Sequence, residues 1–155
     1  MSGQIEAKLA ELGITLPEPV APVANYVPSV TAGGVLYVSG QVSIGPEGPI
    51  TGRLDAGDEA ALAQAVGAAR TCGINLIAQV KAATGDLDRV KRVVKLTGFV
   101  NSAPDFTQQP VVVNGCSDLM VAVFGEAGRH ARSAVGVAAL PLGVMVEVEG
   151  IFEID

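Results

Sequence analysis

The chain has no tryptophan, one histidine (His130) and only two cysteines, Cys72 and Cys116, in 155 residues. The cysteines are isolated, with no CxxC, so no metal-ligand spacing is readable and no metal site is expected. Charge is also scarce. Charged residues make up 17% of the chain and apolar ones 49%, which argues against disorder outside the ends. Ten basic residues face sixteen acidic ones, giving a net charge of −6. General nucleic-acid binding needs clustered Lys and Arg to neutralise phosphates, and this balance argues against it. The bases between Lys81 and Lys95 are interleaved with Asp86 and Asp88 and form no clean basic face. No uninterrupted apolar run reaches the ~18 residues of a membrane span, and the N-terminus lacks a signal-peptide pattern. A cytoplasmic protein with reduced thiols is expected.

The length suits one domain with a real core. Ile5, Leu9 and Leu12 share a helical face, with Gly13 as its stop. The stretch Leu16-Pro-Glu-Pro-Val-Ala-Pro that follows must be extended, because prolines cannot sit in a helix interior. Residues 1–24 thus read as an N-terminal helix and arm, and 25–155 as a single domain. Asn25–Thr31 and Val35–Val42 read as a hairpin joined at Ala32-Gly33-Gly34. A long amphipathic helix is expected from Asp58 to Ala83, with a stripe of Leu62, Val66, Ala69, Gly73, Leu76, Val80 and Ala83. Gly73 is expected to let this helix approach a sheet. Val90–Val100 alternates as a strand, with Val94 and Leu96 on one face and Val93 on the other. Pro110 is expected to break any helix across 106–113, so a second helix is placed at Ser117–Glu126 with Ser117 as its cap. Cys116, just before that cap, would feel the helix dipole. Ser133–Leu140 and Val144–Ile154 are the last strands. The order β-β-α-β-α-β-β predicts an α+β fold, with two helices on one face of a mixed sheet. The other face would carry Tyr37, Lys95, Thr97 and Glu147.

Candidate chemistry centres on Gly128-Arg129-His130-Ala131-Arg132-Ser133-Ala134. Arg132 stands where a turn passes into a strand, among small residues that leave room for a docked group. Arginine offers a planar fork of donors matching a carboxylate or phosphate. On spacing alone, Arg132 reads as a solvated surface arginine at a strand start. Likewise Glu147 reads as an exposed strand acid, Tyr26 as an edge aromatic and His130 as a turn residue.

Further motifs bear on that choice. Ala131-Arg132-Ser133-Ala134-Val135, Leu140-Pro141 and Val146-Glu147-Val148-Glu149 resemble the C-terminal signature of the Rid/YjgF family of reactive-intermediate deaminases, also labelled L-PSP endoribonucleases. Tyr26 and the Ser39-Gly40-Gln41 strand end match the family's N-terminal hairpin, so the likeness runs from about Tyr26 to Ile154. The resemblance implies a chorismate-mutase-like fold and a homotrimeric barrel with the helices outside and ligand pockets between subunits. It implies that Arg132 grips the carboxylate of an imine or enamine acid and that Glu147 positions or activates water. Tyr26, Ser39, Gly40 and Asn114 become binding residues. Two positions depart from the pattern: Ala134 replaces a pocket cysteine, and His130 replaces a proline. The N-terminal arm has no counterpart in short family members and would bring the chain closer to a longer branch.

The implied reaction is hydrolysis of a 2-imino acid to a 2-keto acid and ammonia, needing no metal and no organic cofactor. A non-catalytic carboxylate-binding or regulatory trimer is the alternative. A ribonuclease is a third, opposed by the acidic charge.

Overall fold

The computed structural model describes residues 3–19, 21–22 and 24–155. Helix α1 spans Gln4–Glu11. Leu9 is buried, whereas Leu12 is exposed. Asp88 caps α1 from outside: its carboxylate accepts from the Gln4 and Ile5 amides at 2.9 Å each. Glu6 pairs with Lys81. Residues 14–19 follow without helix or strand. The parts of the expected helix and arm at Met1, Ser2, Val20 and Val23 lie outside the described residues.

The first strand, β1, covers Ser29–Ala32, and β2 covers Val35–Val42. β1 therefore begins after Pro28 rather than at Asn25, since a proline cannot donate to the ladder. Ala32 pairs with Val35 across Gly33 and Gly34, both at positive φ (59° and 77°). This is the two-residue turn whose twist suits a hairpin. The Gly- and Pro-rich stretch after β2 holds a small hairpin, β3 (Ile44–Gly45) with β4 (Gly48–Pro49).

Helix α2 spans Glu59–Thr84. Asp58 caps it by accepting from the Ala61 amide at 3.0 Å, and Gly85 ends it. Its buried face is wider than the expected stripe, including Ala65, Ala68, Cys72 and Ile77, while Ala83 is exposed. A helix covered by both a sheet and a second helix buries more than one stripe. Gly73 meets that second helix, not the sheet: a side chain there would meet Leu119 and Cys116.

Strand β5 runs from Val90 to Asn101. The pairing shifts between Val93 and Lys95, where β5 carries an extra residue. This bulge breaks the expected alternation, burying Val93 and exposing Val94. Helix α3, Gln109–Phe124, starts eight residues before the expected Ser117. Pro110 lies in its first turn, where its missing N–H has no helical partner to lose. Pro110 therefore opens the helix instead of breaking it, and Ser117 and Cys116 lie within it. Together with the 3₁₀ turn after it, this segment (Gln109–Gly128) is apolar enough, at mean hydropathy 1.3, to cross a membrane by length and composition. Half of it is buried in the protein, and Asn114, Ser117 and Asp118 interrupt it. Strands β6 (Ala131–Val137) and β7 (Val146–Ile154) complete the chain.

The main sheet has the order β1-β2-β7-β5-β6, with β5 and β6 parallel and the other pairs antiparallel. The core lies between one sheet face and α2 and α3, around Leu36, Leu76, Leu96, Met120, Val148 and Phe152. The opposite face is open. Tyr37, Lys95, Thr97 and Glu149 line a shallow cavity of about 320 Å³ there.

Candidate functional site

The six candidate residues fall into two groups. Arg132 pairs with Leu96 in the parallel ladder, and Leu96 is buried beneath the helices. Paired residues point to the same face, so Arg132 projects toward α3 at the sheet edge. Its Nη1 donates to Asn114 Oδ1 at 2.7 Å and to Ser117 Oγ at 3.2 Å. Both Nη1 hydrogens are thereby used. Among the described residues no bond engages Nε or Nη2, the edge of the guanidinium that matches a carboxylate bidentately. Ser117 Oγ also lies 2.9 Å from His130 Nε2, and His130 Nδ1 lies 2.6 Å from the Gly128 carbonyl oxygen.

The second group sits on β2 and β7. Between Val38 and Gln41 β2 carries one residue more than β7 opposite, a bulge that contains Ser39 and Gly40. The Ser39 hydroxyl donates to the Val27 carbonyl at 3.0 Å and its amide to Pro28 at 2.9 Å. These bonds tie the bulge to the segment that carries Tyr26, which is 55% exposed. Glu147 alternates with buried Val146 and Val148, so it faces away from the helices. It packs against Gly40, where a side chain would collide with its carboxylate. Burial, then the neighbouring Glu149 charge, raises the Glu147 carboxyl above its ordinary value.

Strand β5 separates the two groups, and Arg132 and Glu147 point to opposite faces of the sheet. Within one subunit they do not meet. The open-face cavity contains neither of them.

A family model described as "YjgF/chorismate mutase-like, putative endoribonuclease" matches residues 6–153. The chain belongs to this family. The match begins inside α1, earlier than Tyr26. Protein TCP17 of Trypanosoma cruzi is 53% identical over 99% of this chain and 96% of its own. The crystal structure of the Agrobacterium tumefaciens protein Atu1372, of unknown function, is 49% identical with TM-score 0.87, covering 97% of this chain and 94% of its own. The Escherichia coli protein TdcF, solved with bound serine, is 25% identical with TM-score 0.61, covering 89% and 94%.

Two features of this YjgF-like chain escape motif reading. Ser117 was expected only as a cap, yet it reaches Arg132 from mid-helix. Its signal is the i, i+3 spacing from Asn114, which puts two polar side chains on one side of an apolar helix. Neither thiol is poised to react. Burial pushes Cys116 up to about 12, and Cys72 is likewise raised well above its ordinary value. Because Cys116 lies within α3, it lacks the exposed N-terminal setting that lowers a thiol.

Proposed function

We propose that this chain hydrolyses reactive 2-imino and enamine acids to 2-keto acids and ammonia, as a cytoplasmic homotrimer with its pockets between subunits. The Nε–Nη2 edge of Arg132, which no bond among the described residues engages, carries the reading: it is a held fork for a substrate carboxylate. Charge-assisted bonds of this kind contribute roughly 1.5–3 kcal/mol each. TdcF, with its bound serine, supports a small carboxylate-bearing ligand.

The two half-sites suit an inter-subunit pocket. The Arg132–Asn114 edge of one subunit would face Tyr26, Ser39, Gly40 and Glu147 of the next. The carboxylate fixed by Arg132 orients the C=N carbon toward a water. Water adds to that carbon as Glu147 takes a proton from it, and Glu147 returns this proton to the imine nitrogen to give the carbinolamine. Glu147 then takes the carbinolamine hydroxyl proton and passes it to the amino nitrogen as the C–N bond breaks, releasing ammonia and the 2-keto acid with Glu147 ionised again. The raised Glu147 carboxyl suits the base.

Keto-acid and ammonia release from 2-iminopropionate tests this, with Arg132→Ala as control. Release above the uncatalysed rate, lost in Arg132→Ala, is the expected result. No acceleration would overturn the enzyme reading. Ala134, where the family has a pocket cysteine, favours in that event a trimer that binds carboxylates without turning them over. RNA incubated with the purified chain is expected to remain intact.

A further inference from the structure

We propose that His130 is a positioning residue for the anion anchor, holding Arg132 through Ser117 as a neutral ring protonated on Nδ1. The inference rests on reading Arg132 as the carboxylate anchor and adds a residue to it. One acceptor-only atom fixes the first bond, and ring neutrality fixes the rest. The Gly128 carbonyl can only accept, so His130 Nδ1, 2.6 Å away, must carry a proton. In a neutral ring Nε2 is then bare. Ser117 Oγ, 2.9 Å from it, must spend its single hydrogen there. That leaves the oxygen lone pairs of Ser117 for Arg132 Nη1 at 3.2 Å. The opposite tautomer would set two lone pairs against each other at Nδ1. A protonated ring would place a second positive charge one hydroxyl away from the guanidinium.

The far end of this chain of bonds is fixed. Gly128 is buried against α3, and a side chain there would run into the Met120 backbone. The sequence runs Gly128–Arg129–His130–Ala131–Arg132, so the acceptor carbonyl, the relay ring and the anchor alternate along one segment. The proline of the family pattern has no ring acceptor and could not make this connection. With Nη1 tied to both Asn114 and Ser117, the guanidinium cannot turn to spend its Nε–Nη2 edge elsewhere. Pre-orientation of that kind lowers the cost of binding.

His130 is the only histidine, so its imidazole ¹⁵N signals are unambiguous in the full-length protein. Long-range ¹H–¹⁵N spectra at neutral pH are expected to show Nδ1 protonated and Nε2 bare. Added pyruvate should shift the Nε2 signal, and Arg132→Ala should abolish that shift. In kinetics, His130→Ala should raise KM about 3- to 10-fold with kcat within about twofold, and His130→Gln, whose amide oxygen can accept from Ser117, should recover most of the loss. An Nε2-protonated or doubly protonated ring, or an unchanged KM in His130→Ala, would overturn the inference. If pyruvate disturbs no amide near Arg132, the carboxylate-anchor reading fails, and this inference, which depends on it, falls with it.

Discussion

The Glu147 carboxylate lies against Gly40 with no room for a β-carbon between them. The bulge in β2 brings Gly40 to this position. Because the colliding atoms belong to the end of a flexible side chain, Gly40→Ala should displace Glu147 rather than unfold the protein. The variant is expected to keep its stability within about 1 kcal/mol. Its kcat should fall roughly 10- to 100-fold, since misplacement of a reacting group by about 1 Å is enough for that. Denaturant melts beside steady-state kinetics on 2-iminopropionate check both parts.

The raised Glu147 carboxyl gives two pH effects. Its charged form is disfavoured by burial in the folded chain relative to the unfolded one. The stability linked to this group is therefore fully present below the ordinary glutamate pKa and is lost as pH rises through the raised value. Activity runs the other way: the base works only when ionised, so kcat should rise across the same interval. Glu147→Gln should flatten the stability change and abolish turnover. Urea midpoints and pH–rate profiles across the acid range would measure both. Identical stability profiles for Glu147→Gln and wild type would contradict the assignment.

In the proposed pocket Arg132 and Glu147 come from different subunits, which makes subunit mixing informative. Arg132→Ala and Glu147→Gln should each be inactive alone. Refolded or co-expressed together, they should regain partial activity, because some pockets would combine an intact Arg132 edge with an intact Glu147. Sedimentation should give a trimer in every case. Failure of the mixed trimer to recover activity would overturn the shared inter-subunit pocket.

The two long helices meet at Gly115, where a β-carbon would overlap the Val66 carbonyl and crowd the Arg70 amide. Backbone, unlike a glutamate tip, cannot step aside. Gly115→Ala is therefore expected to cost at least about 2 kcal/mol, roughly 4–8 °C in Tm for a domain of this size. Calorimetry on the variant would show it. An unchanged Tm would mean that α2 and α3 are not held at this separation.

Much of the fold was legible in local sequence. Val35–Val42 is a strand with the expected ends, Gly33–Gly34 the turn before it, and Asp58 the start of α2, which ends one residue past the expected Ala83. Each depends on a few neighbouring residues: a period of two, a turn dipeptide, a cap. The start of α3 was misread because Pro110 stops a helix in its interior and suits one in its first turn. Nothing local to Pro110 says which position it holds. The phase of β5 was misread for a related reason, since a bulge exists only relative to the strand opposite.

The sequence alone determined the order of the main elements, because periodicity, caps and turns are properties of residue type and spacing, while the resemblance of its motifs to the Rid/YjgF family singled out Arg132 and Glu147. Tertiary structure decided their relation. Parallel pairing of Arg132 with Leu96 turned it toward α3, while β7's alternation turned Glu147 to the other face. It also joined His130 and Ser117, thirteen residues apart, behind the guanidinium. Hydrogen bonds between distant segments depend on register and helix phase, and both are fixed only when the sheet and α3 pack.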